Sequence, residues 1–96
     1  MIRLADIKNI LEINKDRLSE KYGLSLLAIF GSFSRHQQKE NSDIDILVDF
    51  KKPIGIEFID LGNELEELLN CKVDLVSLKG IKPQYYKSIE SELNYV

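Results

Sequence analysis

GSFSRHQQKENSDIDILVDF, residues 31–50, is the stretch of sequence that decides the fold. It begins with Gly31-Ser32, directly after the apolar run LSLLAIF (24–30), which predicts a strand covered on both faces. It ends with DIDILVDF (43–50), where polar and apolar residues alternate as they do in a strand. The polar residues 34–42 predict a loop between the two strands. We therefore expect two strands joined by a polar loop that starts with a Gly-Ser turn.

Three aspartates are candidates for one site. Residues two apart on a strand point to the same side, so Asp43 and Asp45 should project about 6–7 Å apart on one face. Asp74 lies in KVDLVSL (72–78), a further predicted strand, where a buried carboxylate would need a partner. Carboxylates that face one another repel unless a cation neutralises them. Asp49 points to the same side of the strand as Asp45 but lies about 13 Å further along it, so we exclude Asp49 from the metal site.

The chemistry of these groups suits phosphate and magnesium. Carboxylate oxygens are hard ligands that magnesium accepts, and two such ions about 3.5–4 Å apart can assist an in-line phosphoryl displacement. Gly31 allows the backbone to approach a phosphate closely because it has no β-carbon. Ser32 offers a hydroxyl and a backbone N–H at the start of a helical turn, and Arg35 follows with a cationic side chain. Each signal is common alone, but their order predicts a phosphate-handling site.

Two helical stripes flank the strands. The first predicts a helix from Leu4 to about Lys21, and the second predicts one that ends near Asn70. The residues of these stripes are Leu4, Ile7, Leu11 and Leu18 in the first, and Phe58, Leu61, Leu65 and Leu68 in the second. A short helix from Pro83 to Glu92 and an edge strand at 93–96 complete the chain. This order predicts an α+β fold, a small mixed sheet with helices packed on one side.

The composition limits the class of protein. The 96 residues suit a single domain, 1–96, and the charge of −3, from 13 basic and 16 acidic residues, argues against a partner nucleic acid. The only cysteine, Cys71, excludes an internal disulfide. No run approaches the ~20 apolar residues of a membrane span, and the N-terminus lacks a signal sequence. We expect a cytoplasmic protein without a membrane partner.

The segment 31–50 followed by KVDLV resembles the polymerase-beta-type nucleotidyltransferases, and among them the minimal nucleotidyltransferase (MNT) domains of bacteria and archaea. The likeness covers nearly the whole chain and implies the same fold. It implies that Asp43 and Asp45 coordinate two Mg²⁺ ions. Asp74 would ligate the catalytic ion and help to deprotonate an acceptor hydroxyl.

The resemblance also implies how ATP is held. Gly31 and Ser32 would bind the β- and γ-phosphates, and Arg35 matches a basic residue often found shortly after the Gly-Ser pair. His36 is a departure, because many relatives carry glycine at this place. This difference does not involve a metal ligand, but it affects the conformation expected for the loop.

The resemblance further implies a partner. MNT domains of this size are commonly the antitoxin of a pair with a helical HEPN ribonuclease, and several transfer AMP from ATP to a tyrosine of that toxin. A magnesium-dependent protein adenylyltransferase is therefore the first hypothesis. A small-molecule nucleotidyltransferase and a non-catalytic binding antitoxin of the same fold are the alternatives. The apolar helix stripes are compatible with homo- or hetero-oligomers.

The remaining polar and aromatic residues are assigned structural roles. Tyr85 and Tyr86 are expected to pack or cap the late helix, with stacking on a partner or a base as the alternative. The side chains of Glu64, Glu66 and Glu67 are expected on the solvated face of the second helix, with attraction of a basic partner as the alternative. His36 is expected to be exposed, and a contact with phosphate or with the acceptor is its alternative role.

Overall fold

The computed structural model describes residues 2–96, which form one four-stranded sheet and three α-helices. In chain order the elements are α1 (Leu4–Tyr22), β1 (Leu24–Phe30), β2 (Ile44–Phe50), α2 (Glu57–Leu69), β3 (Val73–Ser77), α3 (Pro83–Ile89) and β4 (Asn94–Tyr95). Short 3₁₀ turns at Leu78–Gly80 and Glu90–Glu92 precede and follow α3. The α+β class predicted from the sequence is confirmed.

The sheet is mixed, with the strand order β3-β2-β1-β4. β1 pairs antiparallel with both β2 and β4, whereas β2 pairs parallel with β3. Helix α2 makes the crossover between the two parallel strands, because parallel neighbours need a long connection. β2 and β1 are therefore the central strands.

The two long helices cover one face of the sheet. The predicted stripe of α1 is buried, and Gly23, with a φ of 68°, caps the helix in the left-handed conformation. The buried stripe of α2 consists of Leu61, Leu65 and Leu69. Phe58 and Leu68, which the sequence analysis placed in this stripe, are only partly buried beside it.

The short helix α3 lies on the other face. Ile89 of α3 packs with Phe30 and Leu47, and half-buried residues such as Val76 and Tyr86 surround them. The prediction that the helices pack on one side therefore holds for α1 and α2 but not for α3. The physical reason is that alternation places Leu47 on the same face as the aspartates, so this apolar side chain also needs a cover.

The boundaries differ slightly from those predicted. Asp43 precedes β2, which begins at Ile44. Helix α3 ends at Ile89 because its last turn tightens into the 3₁₀ segment Glu90–Glu92. None of the helices found within residues 2–96 is long and apolar enough to cross a membrane.

Candidate active site

The sheet places two of the three candidate aspartates side by side. Asp45 of β2 is paired with Asp74 of the parallel strand β3, and on its other side with Phe30 of β1. Paired residues of adjacent strands point to the same face, so the Asp45 and Asp74 carboxylates share one surface. Asp43 lies two residues before Asp45, just outside the strand, and is exposed. Asp49 is at the far end of β2, where its Oδ1 lies 3.9 Å from Nζ of Lys79.

The surroundings of Asp45 disfavour the negatively charged form of its carboxylate. Burial, then the Asp74 carboxylate and the more distant Asp43, raise the pKa of Asp45 from 3.8 to about 6, while Arg35 opposes the shift. Each of these raising effects disfavours the negative charge of Asp45. A cation bound at this point would therefore be stabilised by Asp45 and its neighbours.

Asp74 is exposed, although it lies within an apolar strand. The burial that the apolar strand suggested for this carboxylate is not observed, so no structural ion pair is needed to explain it. β3 is an edge strand, and the face of the sheet that carries Asp74 is only partly covered by α3. The exposure leaves Asp74 accessible to an acceptor group.

The close approach of the Asp45 side chain restricts which residue type can stand at position 31. Its φ is 79°, a left-handed conformation that side-chain-bearing residues rarely adopt. A β-carbon added at Gly31 would lie 2.9 Å from Cγ of Asp45, and still closer to its Oδ2. Glycine is therefore required twice here, by the backbone and by the Asp45 carboxylate that lies directly against it.

The Gly-Ser turn continues into one helix-like turn. The Arg35 backbone N–H donates to the Gly31 carbonyl at 3.1 Å, and the Gln37 N–H donates to the Ser32 carbonyl at 2.8 Å. Phe33 anchors the turn in the main core. His36 is exposed, as predicted, and has a φ of 57°, a left-handed conformation that glycine adopts with less strain.

A pocket of about 380 Å³ lies between this turn and α3. Gly31, Ser32, Arg35 and Asp45 line it from the sheet side, and the C-terminal segment supplies Tyr85, Ser88 and Glu92. The Tyr85 ring packs edge-on against Phe30 with a centroid distance of 6.3 Å. Burial, followed by the charges of Asp45, Asp74 and Glu92, raises the pKa of the Tyr85 hydroxyl.

Glu92 is a site residue that the sequence analysis missed. Its Oε1 accepts the Gly31 backbone N–H at 3.0 Å, and its Oε2 lies 2.8 Å from Nη1 of Arg35. No local sequence signal marks Glu92, because it is 61 residues from Gly31 and one of several acidic residues near the C-terminus. Only the packing of α3 over the sheet brings it to the pocket.

The donor set fits a divalent cation of the magnesium type. Asp45 and Asp74 offer neighbouring carboxylates, and burial together with the nearby Asp74 raises the pKa of Asp45, so that a bound cation would offset this effect. Among residues 2–96, no group of three histidine, cysteine, aspartate or glutamate side chains is arranged to hold a metal ion by itself. Magnesium commonly takes one or two protein carboxylates and completes its shell with water and substrate phosphate.

The chain is similar over nearly its whole length to known proteins. A candidate protein adenylyltransferase of Methanocaldococcus jannaschii is 48% identical to the chain, and the match covers all of both proteins. The protein adenylyltransferase MntA of Thermococcus cleftensis is 41% identical, over 100% of this chain and 98% of that one. A chain from a crystal structure of a toxin–antitoxin with AMP-PNP superposes with a TM-score of 0.75 at 27% identity, covering 94% of this chain and 71% of its own.

The family model for the nucleotidyltransferase domain matches residues 7–96, which include all the candidate site residues. The resemblance inferred from residues 31–50 and KVDLV is thereby confirmed. This match and the two archaeal relatives show that the chain belongs to the nucleotidyltransferase domain family.

Proposed function

We propose that this protein transfers AMP from ATP to a tyrosine of a HEPN-type toxin and so acts as the antitoxin of the pair. The observation that carries the proposal is the close approach of Gly31 and Asp45, which supports a phosphate-binding role for the turn beside a metal-binding role for the carboxylate. The names of the archaeal relatives and the AMP-PNP complex support the choice of ATP and of a protein acceptor.

Each site residue has a distinct part in the proposed reaction. The Ser32 hydroxyl and the backbone N–H groups of Gly31 and Ser32 bind the β- and γ-phosphates, and Arg35 neutralises part of their charge. The acceptor hydroxyl then attacks the α-phosphorus of ATP. The bond from this phosphorus to the bridging oxygen breaks, and pyrophosphate leaves. Asp74, the exposed carboxylate of the pair, takes the hydroxyl proton.

Asp43 and Asp45 would hold two Mg²⁺ ions, with Asp74 as a further ligand of the catalytic ion. Bound magnesium supplies charge stabilisation to the attacking and leaving oxygens of such a displacement. The repulsion among the three aspartates would then be relieved only when the site is loaded.

A protein acceptor suits the shape of the site. The pocket is an open cleft lined by Asp45, and Asp74, which is paired with Asp45 in the sheet, is exposed. A protein acceptor can present its own surface next to this cleft. Both ATP and such a partner would be met in the cytoplasm.

The test is transfer of label from ATP carrying ³²P at the α-phosphate. Purified protein, magnesium and an extract of the native host should give a labelled protein band. We expect Asp45→Ala to abolish the band and Asp49→Ala to retain it, since Asp49 lies on the same face of β2 but at its other end. Both variants remove one carboxylate, so overall charge is matched.

The outcomes separate the rival functions. A labelled small molecule without a labelled protein would favour a small-molecule acceptor. Retained transfer by Asp45→Ala would overturn the assignment of the metal site. Binding of the partner toxin without any transfer would favour a non-catalytic antitoxin.

A further inference from the structure

Glu92 accepts hydrogen bonds from two groups, the Gly31 N–H and the Arg35 guanidinium. The proposed function assigns both of these donors to a phosphate of ATP. The two carboxylate oxygens of Glu92 are divided between the Gly31 backbone N–H, at 3.0 Å, and the Arg35 guanidinium, at 2.8 Å. A carboxylate and a phosphate are both anions that accept such donors through oxygen, so they compete for the same place. The Glu92 side chain is only 16% exposed, whereas that of Arg35 is 47% exposed.

The segment that carries Glu92 is attached to the phosphate-binding turn at further points. The Ser34 hydroxyl donates to the Glu92 carbonyl, and the Asn94 side-chain amide donates to the Ser34 hydroxyl. On one side of Glu92, Ile89 is buried against the sheet. On the other side, Asn94 and Tyr95 of β4 pair with β1. Glu92 is therefore held beside the turn from both directions.

The charges around the pocket determine how the pairing of Glu92 with Arg35 affects the binding of an anion. With Glu92 in place, the guanidinium of Arg35 is already paired, and the other charged groups near Asp45 are the carboxylates of Asp43 and Asp74. An incoming triphosphate would meet an excess of negative charge. Displacement of Glu92 would free one cation and one backbone donor for the phosphate.

We propose that Glu92 is an internal competitor of the nucleotide, which occupies the phosphate site in the free protein and is displaced when magnesium-ATP binds. The C-terminal segment 92–95 would then differ between the free and the loaded protein. This inference rests on the proposed function, because it takes Gly31 and Arg35 as ligands of a phosphate.

The first test measures the affinity for magnesium-ATP by calorimetry, without any acceptor. Glu92→Gln removes the competing charge at nearly constant shape, so we expect binding roughly three- to tenfold tighter than in the wild type. Glu90→Gln is the matched control, because Glu90 is exposed in the same 3₁₀ turn and the change in net charge is identical. Its affinity should equal that of the wild type.

Equal or weaker binding by Glu92→Gln would overturn the inference while leaving the nucleotidyltransferase function standing. It would mean that Glu92 holds Gly31 and Arg35 in place for the phosphate or has no part in binding. Tighter binding by both variants would also overturn it, since general charge would then explain the effect. If neither the wild type nor the variants bind magnesium-ATP, the proposed function and this inference both fall.

A second measurement needs no variant and so does not depend on the folding of Glu92→Gln. Inorganic tripolyphosphate with magnesium is added to ¹⁵N-labelled wild-type protein, and the backbone amide signals are followed by NMR. We expect the signals of residues 92–95 to move together with those of Gly31 and Arg35. Movement confined to the Gly-Ser turn would show that Glu92 stays in place and would contradict the proposal.

Discussion

Gly31 and Asp45 form a coupled pair at the scale of single residues. Gly31 lacks a β-carbon at a positive φ, and the space that a β-carbon would fill is taken by the Asp45 carboxylate. The Gly-Ser turn and the strand that carries the Asp45 carboxylate are therefore complementary in shape. A substitution at one residue should therefore alter the effect on stability of a substitution at the other.

A double-mutant cycle would detect this coupling. We expect Gly31→Ala to lower the free energy of unfolding by about 2 kcal/mol, through backbone strain at positive φ and displacement of the Asp45 side chain. In an Asp45→Ala background the cost should be smaller by about 1 kcal/mol, because the nearest remaining contact is the β-carbon of residue 45, at 3.2 Å from the added one. Urea denaturation of the four proteins measures both values. Strict additivity would contradict the coupling.

The raised pKa of Asp45 predicts a stability that depends on pH. The folded protein keeps the Asp45 proton up to a pH of about 6, whereas the unfolded chain releases it near 3.8. Folding therefore becomes less favourable as the pH rises through this window. Asp45→Asn should match the wild type near pH 4 and exceed its stability by about 1 kcal/mol at pH 7, after allowance for solvent screening of this half-buried group.

Thermal unfolding in metal-free buffer at the two pH values tests this expectation. Asp43→Asn is the control, since Asp43 is exposed and lies outside β2. A stability difference that is the same at pH 4 and pH 7 would refute the role of Asp45 ionisation. Magnesium should then stabilise the wild type but not Asp45→Asn, because ligand binding to the folded state adds to its stability.

At the scale of elements, Glu64 connects the two long helices. It pairs with Arg17, and its Oε1 accepts hydrogen bonds from Nζ of Lys21 at 3.0 Å and from the Tyr22 hydroxyl at 2.7 Å. The expectation that Glu64 and Glu66 lie on a solvated face is wrong, since Glu66 accepts the Val73 N–H at the start of β3. Glu67 is exposed, as expected.

The pKa of Glu64 predicts how this connection depends on pH. Its hydrogen bond with Arg17, followed by those with Tyr22 and Lys21, lowers the pKa of Glu64 from 4.5 to about 2. The contribution of this carboxylate to stability is therefore complete above pH 4.5 and is lost as the pH falls towards 2. We expect Glu64→Gln to cost about 1 kcal/mol at pH 7, a value reduced by the exposure of its cationic partners.

Denaturant titrations at pH 7 and pH 3 measure this cost. Glu67→Gln, three positions further along α2 but in an exposed place, removes the same charge. The gap between the two variants should narrow at pH 3. Equal stability of the two variants at pH 7 would show that the contacts of Glu64 add nothing.

At the scale of the whole molecule, the sheet separates a large core from a small one. The large core lies under α1 and α2, whereas the small one contains Phe30, Leu47 and Ile89 as its buried residues. The candidate site lies on the side of the small core. Helix α3, which covers the site, is therefore attached to the sheet through few apolar contacts.

This arrangement predicts that truncating a side chain of the small core destabilises the protein locally rather than globally. Ile89→Ala should speed amide hydrogen exchange mainly in residues 83–95, because it releases α3 from the sheet. Leu65→Ala in the large core should cost about 2–4 kcal/mol and speed exchange throughout the protein. A uniform increase in exchange for Ile89→Ala would contradict the separation of the two cores.

The sequence determined most of the elements of this protein. Its apolar periodicities are local and strong, so they predicted α1, β1, β2, α2 and β3 to within about two residues. Alternation along β2 placed Asp43, Asp45 and Leu47 on one face, and the Gly-Ser turn followed from its place after an apolar strand. The pattern from 31 to 50 also predicted the nucleotidyltransferase family, which the comparisons confirm.

Only the tertiary structure decided what surrounds the site. It showed that Asp74 lies directly beside Asp45 yet exposed, that α3 covers the aspartate face, and that Glu92 reaches Gly31 and Arg35. Sequence patterns report how apolar residues repeat along one segment, and they carry no information on contacts between segments 60 residues apart. Such contacts depend on which face of the sheet each segment covers, and that choice is made by packing of the whole chain.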